Sequence, residues 1–457
     1  MQPPRSAKQV PLVFGDNQIA SPKTFVLLLF GIFVLFILRK PDCLLNPQFW
    51  AEDGAVFFRE QLLRGFPHAL VTPYAGYFAP LQRLIAFLAV PFGIRNAPLC
   101  YGLMALFIDS TCCAMFFLPR YRQYISSDYL RLIVCLLAAT AFDSRELVGT
   151  MANSPWYLMV AGVLLAADPL FMDSTRKRLL TLAIAFAIGL SAPILFVVLP
   201  IAAYQLVRNR RSLAALPGLV IGLGGLLQTL FVVFSPHGIT LQRPSVDSVV
   251  FALWVGFIYK VVLQSLVGIS ATMYIAQAGL TGLVLSALVV TVCALTFFWV
   301  KLERRDQERV GAALFLIAAS IVVPLVGRNS VLKFGTLTQV AGRAERYFFL
   351  ASFLFAYILA VILDRAIHAH PVCKCILLTA IFAGGIYGNF SVPAFADMHW
   401  KHYPKEIKSW VKAEHAGMSP PDLNVPINPP GWYIQFCSGT RMVSAADGQC
   451  LAKAADQ

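Results

Sequence analysis

The chain has 457 residues, of which 58% are hydrophobic and only 13% charged, and its mean hydropathy is +0.69. Soluble domains carry about 25% charged residues, so this composition excludes an ordinary soluble protein. The net charge of +14 sits in short basic clusters between apolar runs, as in cytoplasmic loops, and this distribution argues against a nucleic-acid surface.

Lys23 precedes the apolar run 24–38, and Arg39-Lys40-Pro41 follows it with no small-residue cleavage site, so the N-terminus reads as an uncleaved signal anchor. A bilayer core about 30 Å thick needs roughly 20 apolar residues per helix. Further runs lie near 97–118, 130–143, 155–171, 179–190, 193–206, 213–234, 280–300, 310–326, 346–364 and 375–391. Arg120, Arg122 and Arg131 mark one loop, Arg176-Lys177-Arg178 the next, then Arg208, Arg210 and Arg211, then Lys301, Arg304, Arg305 and Arg309. Eleven crossings from an inside N-terminus put all these clusters in the cytoplasm and the tail outside. The stretches 78–93, with Arg83, and 249–270, with Lys260, break this alternation if they cross. They are expected as external interfacial or re-entrant helices, and counting both as spans gives thirteen. The prediction is therefore an all-α polytopic membrane protein of about eleven transmembrane helices. A bundle over 1–391 carries external loops at 40–96, 143–155, 235–279 and 327–345, with a small external tail at 392–457.

Most of the ten cysteines lie in apolar spans, and neither Cys112-Cys113 nor Cys373-x-Cys375 has zinc-site spacing. Cys437 and Cys450 lie in the polar tail and can pair if it is periplasmic. Gly218-x-x-x-Gly222 reads as a close helix contact. No nucleotide-binding glycine motif and no internal repeat is present.

Three constellations can carry chemistry. The first loop opens with Asn46-Pro47-Gln48-Phe49-Trp50-Ala51-Glu52-Asp53-Gly54, and a helical stretch runs on to Gly65. Asp53 can cap that helix, but capping does not account for both acids beside a tryptophan at the membrane surface. Before the 346–364 run stand Lys333 and Gly342-Arg343-Ala344-Glu345-Arg346-Tyr347. Guanidinium groups here can snorkel or pair with Glu345, or grip phosphate oxygens through paired hydrogen bonds. The third is Asp143-Ser144-Arg145-Glu146 followed by Asn153-Ser154-Pro155-Trp156, where Trp156 can be a belt residue or, with Asn153, a sugar-stacking patch. In the tail, Asn428-Pro429-Pro430-Gly431-Trp432 reads as a rigid turn presenting Trp432.

The Phe-Trp-Ala-Glu-Asp-Gly motif, Ala75-Gly76-Tyr77-Phe78…Arg83-Leu84, Asn153…Trp156, Arg343…Arg346-Tyr347 and the Asn428-Pro-Pro-Gly-Trp tail resemble GT-C class polytopic glycosyltransferases. Among these, the likeness is to bacterial enzymes that modify O-antigen lipopolysaccharide or other envelope glycans. The resemblance implies a sugar donor on a polyprenyl phosphate, used on the periplasmic face of the bacterial inner membrane, and a first-loop acid, Glu52 or Asp53, acting on the acceptor. The candidate substrate-binding residues are Tyr77, Arg83, Asn153, Trp156, Lys333, Arg343, Arg346, Tyr347, Asn428 and Trp432.

The residue chemistry agrees. One carboxylate can take the acceptor hydroxyl proton, while cationic side chains stabilise the charge developing on a phosphate leaving group. Adjacent acids cannot straddle a glycosidic bond as a glycosidase pair does, so a single inverting displacement is expected. Two adjacent acids are not an oxygen cage, so no metal or other cofactor is predicted. The expected partners are the polyprenyl-phosphate sugar, a glycan acceptor and membrane lipid, with no nucleic acid. A lipid-glycan flippase or transporter would use mid-span charge, for which Asp109 is the clearest candidate, and a lipid-linked glycan polymerase or ligase would share the external arginines.

Overall fold

The computed structural model describes residues 20–74, 77–140, 147–168, 174–208, 213–234, 254–279, 282, 302–327, 345–366, 371–438, 442–443 and 450–451. The chain is predominantly helical and is a multi-pass membrane protein; by length and composition six described helical segments can cross a bilayer. Helices occupy ten of the eleven runs named above, and the run 280–300 lies outside the described residues apart from Gly282. The principal ones are α1 (Pro22–Arg39), α6 (Gly93–Ala114), α7 (Asp128–Thr140), α8 (Ser154–Ala167), α9 (Thr175–Ser191), α10 (Leu199–Arg208), α11 (Leu216–Phe234), α13 (Arg304–Gly327), α14 (Phe349–Ala366) and α15 (Pro371–Ala380). Smaller helices are α2 (Asp42–Leu45), α3 (Arg59–Arg64), α4 (His68–Val71), α5 (Pro80–Ala89), α12 (Gln264–Gln277) and α16 (Pro404–His415).

Helix α14 is apolar all round and buried on every side, as a central bundle helix must be. It packs against α7, α8 and α13, while α11 packs on α9, α8 and the 3-10 segment Pro193–Val198. By contrast α1 buries Ile32 and Phe36 but leaves Val26, Leu27, Phe30 and Leu38 exposed. An apolar stripe of this extent has a bilayer as its partner.

The bundle has two unlike ends. At one, Asp128 binds Arg122 and the Ala20 amide, Asp168 binds Arg120, and Asp306 binds Arg365. At the other, the Arg39 guanidinium donates to the carbonyls of Ala139, Asn389 and Phe390, joining the far ends of α1 and α7 to the segment after α15. The described residues of the basic clusters thus gather on one face, and the first loop and tail on the opposite one.

The two doubtful stretches are broken helices. Residues 80–117 are apolar enough to span, but Gly93, at φ 76°, separates α5 from α6. The segment 254–277 is also long and apolar enough to cross, yet its π-helical start, Phe257–Leu263, is parted from most of α12 by Gly268 at φ 79°. Gly256 lies against Phe348 and Gly268 against Gly384 and Gly388, all at the same end of the bundle. The segment thus lies against Phe348, Gly384 and Gly388, with Phe257 meeting Phe355 of α14 and Lys260 buried.

On the face opposite the basic loops, the first loop and the tail share one hydrophobic core. Phe49, Phe57 and Phe58 meet Trp400, Ile407 and Trp410, and the tail set apart at residue 392 does not pack alone. Its strands β1 (Leu423–Ile427) and β2 (Trp432–Phe436) form an antiparallel hairpin in register Ile427↔Trp432. Alternation buries Val425, Ile427, Ile434 and Phe436, the period-two pattern of a half-covered sheet. A second pair, β3 (Met442–Val443) and β4 (Cys450–Leu451), follows, and Cys437 is disulfide-bonded. Strand structure is confined to this tail among the described residues.

Candidate functional site

The first-loop motif is built around a close approach of chain segments. The Ala51 amide donates to the Asn428 carbonyl and the Asn428 amide to the Phe49 carbonyl, so the hairpin turn grips the motif from outside. Ala51 is held at φ 34°, a left-handed conformation that costs about 1–3 kcal/mol without glycine. Gly54 permits the contact, because a Cβ there would stand 3.0 Å from the Ile434 side chain and 3.1 Å from that of Ile427. The helix then begins as a π-turn, Asp53–Phe58, before regular α3. Such a bulge re-aims side chains and is frequent at functional sites.

This geometry sends the two acids to different tasks. Asp53 is only 2% exposed. Its carboxylate accepts from the Met151 amide at 2.9 Å and the Ala152 amide at 2.7 Å. It thus caps the 3-10 turn Met151–Asn153 that leads into α8, rather than the helix in which it sits. Burial, and then the neighbouring Glu52, push its pKa well above the ordinary carboxylate range, against the two amide bonds. Glu52 is half-buried and makes no hydrogen bond or ion pair among the described residues.

The amides that bind Asp53 lead directly to the aromatic and cationic residues. Trp156, one turn further along, meets the Tyr347 ring edge-on at 5.0 Å between centroids. The Arg346 guanidinium lies 5.3 Å from the same Tyr347 ring. Acid, aromatic pair and guanidinium are therefore linked by contiguous contacts at one end of the bundle. Asn153 is buried and donates to Thr150 Oγ1 at 3.0 Å, which shapes the turn. One layer deeper, the fully buried Asp109 carboxylate lies beside the Ser154 hydroxyl without a well-formed hydrogen bond.

Other residues expected to touch substrate have structural tasks. Arg83 is 1% exposed. It pairs with Glu60 at 2.5 Å, donates to the Thr72 carbonyl at 2.8 Å, and stands over the Phe57 ring. A guanidinium so enclosed fastens α5 to the first loop and is not presented to a ligand. The Asn428 side chain exchanges two hydrogen bonds with the Ala396 backbone, at 3.0 and 2.9 Å, which uses both ends of its amide. Tyr77 pairs with Tyr74, and Trp432 remains 38% exposed on the hairpin. Lys333, Arg343 and the Asp143-Ser144-Arg145-Glu146 stretch lie outside the described residues.

Gln228 has a part that sequence reading missed. Its amide holds the Phe78 backbone on both sides, accepting from the N–H at 3.0 Å and donating to the carbonyl at 2.6 Å, and so docks the loop after Tyr77 on α11. A single glutamine inside an apolar run was the only signal. Among the described residues no group of three or more His, Cys, Asp or Glu side chains converges as a metal site. Comparisons with protein-family models, curated proteins and solved structures return no match.

Proposed function

We propose that this protein is a membrane glycosyltransferase with a GT-C-like bundle of about eleven crossings. It moves one sugar from a polyprenyl-phosphate donor to a glycan or lipid-linked acceptor on the periplasmic face of a bacterial inner membrane. The observation that carries the reading is the chain of contacts from the Glu52-Asp53 pair through the start of α8 to Trp156, Tyr347 and Arg346. The disulfide at Cys437 favours an oxidising compartment for that face.

In this mechanism Glu52, the acid with an uncommitted carboxylate, takes the proton of the acceptor hydroxyl. The acceptor oxygen attacks the anomeric carbon from the side opposite the phosphate, and the C–O bond to phosphate breaks with its electron pair. Configuration inverts, and polyprenyl phosphate leaves as an anion stabilised by Arg346. Trp156 and Tyr347 supply a wall against which a hexose ring can lie. Asp53 acts as a positioning residue, holding the 151–153 turn against the motif.

Transfer of labelled sugar from a polyprenyl-phosphate donor to acceptor in isolated membranes tests the proposal. Glu52→Gln is expected to lower the rate by roughly 10²–10⁴-fold at unchanged protein level, and Arg346→Ala to lower it as well, with partial recovery in Arg346→Lys. Full transfer by the E52Q/D53N double variant would reject it.

A further inference from the structure

The described structure holds a second feature at the opposite end of α8, a cavity of about 560 Å³ between α8, α10, α13 and α14. That volume lies within the range of small-molecule sites, about 300–1,000 Å³. Its depth is apolar and aromatic: Phe116 meets Phe353 and Tyr357 edge-on, and Leu164, Val198 and Ala313 complete the wall. Its mouth is on the face of the basic loops.

The charges at the mouth do not cancel. The two carboxylates that line it each have an arginine already: Asp168 is held by Arg120 through two bonds, at 2.7 and 3.0 Å, and Glu308 by Arg208. Arg309 lies on the Tyr124 ring at 4.2 Å, donates to the Gln123 carbonyl at 2.6 Å and pairs with buried Asp306 at 3.5 Å. That leaves Arg305, which lines the cavity, is exposed, and makes no ion pair or hydrogen bond among the described residues. Beside it α10 exposes Tyr204 and Val207, so the mouth adjoins bilayer rather than water alone.

We infer that this cavity binds an anionic phospholipid from the leaflet on the basic-loop side, with its phosphate at Arg305 and an acyl chain in the apolar depth. A soluble anion would leave the aromatic depth unfilled, and a zwitterionic lipid would leave the arginine surplus unbalanced. Basic pockets between transmembrane helices on the cytoplasmic side select acidic head groups for the same reason. The site is separate from the proposed transfer chemistry and stands without it.

The test uses the full chain in nanodiscs, with lipid retention read by native mass spectrometry. The wild type is expected to hold one phosphatidylglycerol through exchange into detergent and to release phosphatidylcholine. Arg305→Glu, a change at an exposed position, is expected to weaken phosphatidylglycerol retention by roughly fivefold or more. Dihexanoyl phosphatidylglycerol, with the same head on short chains, is expected to compete more than roughly tenfold less well than the dioleoyl form. Equal retention of both head groups, wild-type retention by R305E, or complete displacement by equimolar undecaprenyl phosphate would overturn the assignment.

Discussion

Both oxygens of Asp53 are engaged by backbone amides, whereas Glu52 next to it makes no hydrogen bond or ion pair among the described residues, and this division has consequences for pH as well as chemistry. Because burial raises the Asp53 pKa above its ordinary 3.8, the folded protein holds that proton more tightly than the unfolded chain does. The stabilisation is complete below the ordinary value and is lost as pH rises through the raised one. Thermal unfolding in detergent should therefore show a transition temperature that falls as pH rises above the ordinary carboxylate value in the wild type, with a slope that is reduced in Asp53→Asn. An unchanged slope would mean that Asp53 is not the titrating group. Whether Glu52 or Asp53 serves as base was open from sequence, since adjacent acids in a motif are equivalent until the backbone turns them apart. For Arg83 and Asn428, likewise, a polar residue beside a membrane does not reveal from sequence whether its partner is a ligand or its own chain.

At the scale of elements, the close contact read from Gly218-x-x-x-Gly222 continues through Gly224 and Gly225 of α11. A Cβ at Gly222 would strike Leu199, and one at Gly189 on α9 would strike the Ile221 carbonyl. Backbone cannot retreat as a flexible side chain can, so Gly189→Ala is expected to cost about 1–3 kcal/mol. Gly31, on the lipid-facing helix α1, has nothing within 4 Å of its Cβ position. Gly31→Ala should be neutral or stabilising by up to about 1 kcal/mol through helix propensity. Denaturant unfolding of the two variants in mixed micelles checks the pair, and equal effects would show that the α9–α11 contact does not control stability. Helix positions such as 213–234 were legible because a run of apolar residues has few alternatives in lipid. The breaks at Gly93 and Gly268 were not, since glycine in an apolar run marks either close packing or a turn, and only its φ distinguishes them.

On the scale of the whole molecule, the protein is a bundle capped on one face by a compact layer made from both ends of the described sequence. Residues 49–64 and 400–436 are far apart in sequence, yet Phe49 packs edge-on against Trp400 at 4.8 Å. If this layer and the basic loops face opposite compartments, cysteines at two exposed positions will report it. In a Cys375→Ser background, Lys401→Cys should react with a membrane-impermeant maleimide in intact spheroplasts, and Arg304→Cys only after lysis. Labelling of both in intact spheroplasts would refute the alternation of faces.

Composition and hydropathy alone determined that this chain lives in a bilayer, and the basic clusters assigned its loops to one side, because transfer free energies of apolar runs and charges act locally along the sequence. Which acid is left uncommitted, which arginine is buried in an ion pair and which lies beside Trp156 and Tyr347 was decided only by tertiary structure. Those outcomes depend on contacts between segments hundreds of residues apart, such as the hairpin turn at Asn428 bonded to the backbone at Phe49 and Ala51, and no local pattern encodes them.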